Sequence, residues 1–147
     1  MSDFTERSKA NLSGVHPILV KLLTEITQFF DCSIIGGTRT IEEQKIDVAK
    51  GLSKTMNSMH IVQADGYGHA VDAAPTPQQW DNSPPSNLSK YEVECIAFLF
   101  YVKGYAKAQG IDVRIGADWN GNNLWQDNTF NDFDHIELPL DASQTNS

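Results

Sequence analysis

The sequence predicts an α+β domain, a small and mostly antiparallel sheet with helices packed against it. Two long segments carry apolar residues at the spacing of a helix face, one from about Val15 to Phe30 and one after Ser89. Four short runs read as strands instead: CSIIGG from Cys32, AVDAAP from Ala70, IDVRIGADW from Ile111 and HIEL from His135. The chain has 147 residues, enough for one domain that buries about two-thirds of the surface of its unfolded form. A single domain is expected, with a core over residues 13–139 and a polar tail over 140–147.

In the first helical segment Val15, Ile18, Leu19, Leu22, Leu23, Ile26 and Phe30 share one face, with Ser13 as cap, Pro17 in the first turn and His16 at the surface. The opposite face is not basic, so the face belongs to the core and not to a membrane. CSIIGGTRT is a strand that stops at two glycines. Thr40-x-x-Glu43 is then a capping box opening a helix that Gly51 terminates, which places Arg39 at a strand-to-helix junction. Residues 52–57 form a loop, and Asp65-Gly66 marks a tight turn. Residues 76–87, with Pro77, Pro84, Pro85 and Trp80, form a surface loop. Ser89-x-x-Glu92 opens a helix to about Gln109, ~30 Å long, with Val93, Ile96, Ala97, Phe100, Tyr101 and Gly104 as its core stripe; Phe98 and Leu99 point to burial on more than one side. Residues 121–131 are a loop edged by Trp119, Trp125 and Phe130, as suited to lining a substrate cleft as to closing the core.

Composition excludes several classes. A formal charge of −8 without a Lys/Arg cluster argues against nucleic acid. No run of about 20 apolar residues could span a bilayer, so no membrane insertion is expected. The polar start MSDFTERSKANLSG lacks the apolar stretch of a secretion signal. Cys32 and Cys95 are expected to be buried free thiols, and the protein a monomer.

The residues with chemical potential are His60, Asp72 and His135. A catalytic zinc needs three ligands from imidazole nitrogen and carboxylate oxygen with one position left open to water, and these three fill that set. Neighbouring strands would carry Asp72 and His135 to one face, since alternate side chains point the same way. His69 is the competing imidazole if the turn at Asp65-Gly66 shifts the register. The plainer alternative is that each is a solvated or hydrogen-bonded strand residue.

The ordered motifs GGTRT-x-EEQ (Gly36 to Gln44), S-x-H (Ser58 to His60), G-x-AVD (Gly68 to Asp72), G-x-DW (Gly116 to Trp119) and D-x-x-HIEL (Asp132 to Leu138) resemble the M15 family of zinc peptidases. That family includes D-alanyl-D-alanine carboxypeptidases and the L-alanyl-D-glutamate endopeptidases that bacteriophages use as endolysins. The resemblance implies a hedgehog/DD-peptidase-like domain with Zn2+ held by His60, Asp72 and His135. It also implies Asp132 as general acid/base and Arg39 on the substrate. Gln44 is a further substrate-binding candidate, and Ser58 either hydrogen-bonds substrate or holds the loop. Glu137 shares His135's strand face, so it is either an alternative base or a partner that orients an imidazole; Asp134 should face away. The chain departs from the family in one place, where eleven residues, Ile61 to Val71, separate the first two ligands and the family has fewer. The implied partner is the peptidoglycan stem peptide. A phage endolysin cutting the L-alanyl-D-glutamate bond from the host cytoplasm is the first expectation. A D,D-carboxypeptidase or dipeptidase, or a non-catalytic zinc-binding cell-wall-binding module, is the alternative.

Overall fold

The computed structural model describes residues 3–51, 58–78, 89–124 and 132–140. Among them the order is α1 (Glu6–Asn11), α2 (Pro17–Ile26), β1 (Cys32–Gly36), α3 (Ile41–Ala49), β2 (Ala70–Pro75), α4 (Lys90–Ala108), β3 (Arg114–Ile115) and β4 (His135–Glu137). The strands form one sheet in the order β1-β2-β4-β3, antiparallel at every pairing, and helices pack on it as the sequence predicts. No helix among the described residues is long and apolar enough to cross a membrane.

Both predicted capping boxes are present. The Thr40 and Ser89 hydroxyls accept the Glu43 and Glu92 amides, and each glutamate reaches back to the cap's own N–H. The first long helix is shorter than its apolar spacing implies. Gly14 and His16 exchange backbone hydrogen bonds with Gly68, which holds this segment extended. The helix therefore starts at Pro17, capped not by Ser13 but by His16, whose Nδ1 accepts the Ile18 amide at 3.1 Å. His16 is also not a surface residue, because its ring lies edge-on to Tyr67 and His69.

The core begins earlier than expected. Phe4, Ser8 and Leu12 are buried on or beside α1, and the Ser8 hydroxyl accepts the Ile34 amide of β1. With Leu19, Leu22, Leu23 and Ile26 of α2, Val71 and Ala73 of β2 and Ile136 of β4, Phe4 and Leu12 form one apolar cluster, each large side chain contributing ~1.5–3 kcal/mol by leaving water. In α4 the buried residues are Tyr91, Cys95, Ile96, Phe98, Leu99, Val102 and Ala106, so Ile96 of the predicted stripe is buried while Val93 and Tyr101 are exposed. This helix is apolar on nearly every side, so spacing alone offers two overlapping stripes, and packing selects the one facing α2, β2 and β3. Residues 111–115 alternate buried and exposed as a strand should, but only Arg114–Ile115 pair with β4. Cys32 and Cys95 are buried free thiols. Trp80, Pro84, Pro85, Trp125, Phe130 and the tail beyond Leu140 lie outside the described residues.

Candidate metal centre and catalytic site

Three backbone features bring the site together. Asp72 of β2 and His135 of β4 are direct partners in the sheet register, so their side chains rise from the same face. On the other side of Asp72 the partner is Gly36, which leaves its carboxylate uncovered. His60 arrives from the turn after Ser58, and its carbonyl accepts the Arg39 amide at 2.8 Å. Gly37 closes this corner, because a side chain there would overlap the carbonyl of Asn11. The eleven-residue interval is taken up by a closed hairpin, with Val62 bridged to Gly68 and the Gln63 amide donating to Tyr67.

The hydrogen bonds around the two rings fix their lone pairs. His60 Nδ1 lies 2.8 Å from the Gly37 carbonyl, which can only accept, so this nitrogen carries the hydrogen and Nε2 faces Asp72 Oδ1 at 3.4 Å. His135 Nε2 lies 2.8 Å from Glu137 Oε1, leaving Nδ1 3.7 Å from Asp72 Oδ1. The three ligand atoms fall within 4.8 Å of one another. Ligands at about 2.0–2.2 Å from a tetrahedral zinc stand roughly 3.3 Å apart, so the donor types, their lone pairs and their spacing fit such an ion.

Without a metal the cluster holds protons in its place. Burial alone would raise Asp72, but hydrogen bonds and charge from His135 and His60 hold it well below the usual carboxylate range. Burial opposes the charged form of His135, yet Asp72 and Glu137 together push it up to about 9. A raised imidazole stabilises the folded metal-free protein fully below its unfolded value of 6.5, and that contribution is lost as pH rises through about 9. A bound metal must displace this proton. Zinc-induced elevation of Tm is therefore expected to grow from pH 6 to 9 while the metal-free Tm falls, and a zinc shift that stays flat across this interval would contradict the assignment.

Asp132 stands at the mouth of this cluster, its Oδ2 3.9 Å from His135 Nδ1 and its side chain 38% exposed. Gly116 explains its position. The Asp132 amide donates to the Gly116 carbonyl at 3.0 Å, and a side chain at residue 116 would overlap the Asp132 carbonyl. Arg39 faces the site from the rim, with Nη2 3.4 Å from Asp72 Oδ2, Nη1 3.1 Å from Gln44 Oε1 and Nε 3.7 Å from Asp47.

The remaining candidates lie around this site, and of these Asp134 is placed otherwise than expected. Gln44 is completely buried, so it supports Arg39 from beneath and does not face a substrate. The Ser58 hydroxyl accepts the His60 amide at 3.2 Å, a loop-supporting contact. Glu137 is buried between His135 and Arg114, whose Nη2 lies 3.2 Å from Oε2, so both of its oxygens are engaged. His69 sits apart from the trio, with Nδ1 on the Leu138 carbonyl and Nε2 on Asp65. Asp134 does not face away: it precedes β4 in a turn, and its carboxylate groups with those of Asp72 and Asp132. Burial, Asp132 and the charge of Asp72 push it up to about 9, so it keeps its proton at neutral pH. The Trp119 ring lies 5.0 Å from that of His135, and the Arg114 guanidinium lies 5.0 Å from the same indole.

The family model of phage L-alanyl-D-glutamate peptidases matches residues 1–139. The chain belongs to that family. Among solved structures, the crystal structure of Serratia marcescens L-Ala D-Glu endopeptidase ChiX is similar, with a TM-score of 0.66 and 28% identity over 94% of this chain and 90% of that one. No curated protein matches the chain. Membership of the phage L-alanyl-D-glutamate peptidase family spans α1, which the apolar spacing passes over, as well as all four strands. The missed position of Asp134 had one signal, its spacing two residues after Asp132 in a segment that had no reason to be extended.

Proposed function

We propose that this member of the phage L-alanyl-D-glutamate peptidase family is a zinc-dependent peptidoglycan endopeptidase that hydrolyses the L-alanyl-D-glutamate bond of the stem peptide. The observation that carries the reading is the convergence of His60 Nε2, His135 Nδ1 and the Asp72 carboxylate on one point, with Asp132 beside it at the solvent edge. His60, Asp72 and His135 would hold the ion. When bound, zinc supplies Lewis acidity, which polarises the scissile carbonyl and brings the pKa of water to about 7.

The chain's own residues supply the rest. Asp132, accessible from the cleft, takes a proton from the attacking water and passes it to the departing amine. The hydroxyl of the water is then joined to the alanyl carbonyl carbon, and the D-glutamate nitrogen leaves as a free amino group. Arg39 is held by Gln44 and Asp47 with its guanidinium toward the cleft, where it can grip a substrate carboxylate or carbonyl oxygen. Glu137 fixes the His135 ring through Nε2, and Arg114 in turn fixes Glu137.

Digestion of purified peptidoglycan tests this reading. A new amino group on D-glutamate is expected, lost with a chelator and restored by zinc. Released D-alanine would make the protein a carboxypeptidase instead, and chelator-resistant cleavage would remove the metal from the mechanism.

A further inference from the structure

A second cluster of ligand-type side chains lies outside the proposed catalytic site and shares no residue with it. His16, Asp65 and His69 bring one nitrogen, one carboxylate oxygen and one nitrogen within 4.8 Å of one another. His69 is 4% exposed. Its Nδ1 lies 3.1 Å from the Leu138 carbonyl, an acceptor only, so Nδ1 carries the hydrogen. In the neutral ring Nε2 then presents a lone pair to Asp65 Oδ2 at 2.6 Å. Two lone pairs at that distance repel unless a second proton joins them, and a metal ion that replaces the proton parts the two atoms to roughly 3.3 Å.

The arrangement repeats that of His60, whose Nδ1 is also spent on a backbone carbonyl while Nε2 faces an aspartate. Asp65 is oriented for the task. Its Oδ1 accepts the Tyr67 amide at 3.0 Å, which turns Oδ2 toward the ring, and its side chain is 41% exposed, open to solvent and to ion entry. We propose that Asp65 and His69 form a second divalent-metal site, suited to a borderline ion such as zinc, with His16 as a third ligand. His16 Nε2 is 3.8 Å from the same oxygen. Its Nδ1 now accepts the Ile18 amide, so ligation through Nε2 moves the ring hydrogen to Nδ1 and releases that cap. His69 and Asp65 are therefore the fixed pair and His16 the conditional member. An ion here fastens the turn around Asp65 to the start of α2 through His69, three residues ahead of Asp72 in β2.

The test is zinc content after saturation and dialysis, measured by plasma mass spectrometry on wild type, Asp65→Asn, His69→Gln and His135→Ala, each checked for folding by circular dichroism. Two ions per chain are expected in wild type, and one in each variant. Asp65→Asn, which preserves the acceptor for Tyr67, is expected to keep full peptidase activity. A single wild-type ion that His135→Ala loses and Asp65→Asn keeps would overturn the second site and leave the catalytic reading intact. A single ion with the reverse pattern would support the second site and overturn the catalytic ligand set. Two ions retained in both Asp65→Asn and His69→Gln would also overturn the proposal.

Discussion

Replacing Asp132 with alanine is expected to lower kcat by about 10²–10⁴-fold while zinc stays bound, the loss typical of removing a general base. The separation of these two effects follows from position. Asp132 is not one of the three groups whose lone pairs meet at Asp72, and its side chain faces the cleft. Glu137 cannot take over, because it is buried with one oxygen on His135 and the other on Arg114. Asp134 groups with Asp72 and Asp132 but holds its proton at neutral pH. Steady-state kinetics on peptidoglycan fragments with parallel zinc analysis would decide the matter. Wild-type turnover in Asp132→Ala would move the proton transfer to another group.

His135→Ala is expected to lose both the ion and the activity. The substitution removes Nδ1 from the cluster and leaves Glu137 paired only with Arg114. Removing a partner that merely orients a ligand costs about 10–100-fold in metal affinity, so Glu137→Gln should fall in that range and His135→Ala beyond it. Titration against a chromophoric chelator measures both. Equal affinities in wild type and His135→Ala would place the catalytic ion elsewhere.

Much of this site is legible in the sequence because its parts are local. A capping box is read from two residues three apart, and Thr40/Glu43 and Ser89/Glu92 both form as written. Asp72 and His135 lie in short strands whose alternation defines a face, and that face is shared once the strands pair. What the sequence hides depends on contacts distant along the chain. Pairing of residues 14–16 with Gly68 decides where α2 begins, and no periodicity records it. Complete burial of Gln44 turns a candidate substrate contact into a support for Arg39. Asp134 falls one residue before β4, where alternation no longer governs its direction, and so it joins the acidic edge. The stripe on α4 was ambiguous for the opposite reason, since too many of its positions are apolar for spacing to select one side.

The central claim is that two imidazoles and one carboxylate share an ion beside Asp132. Anomalous diffraction at the zinc edge from crystals of the loaded, active protein tests it directly. The account predicts a peak about 2.0–2.2 Å from His60 Nε2, His135 Nδ1 and an Asp72 carboxylate oxygen. Loaded, active protein with no peak at that position would contradict it.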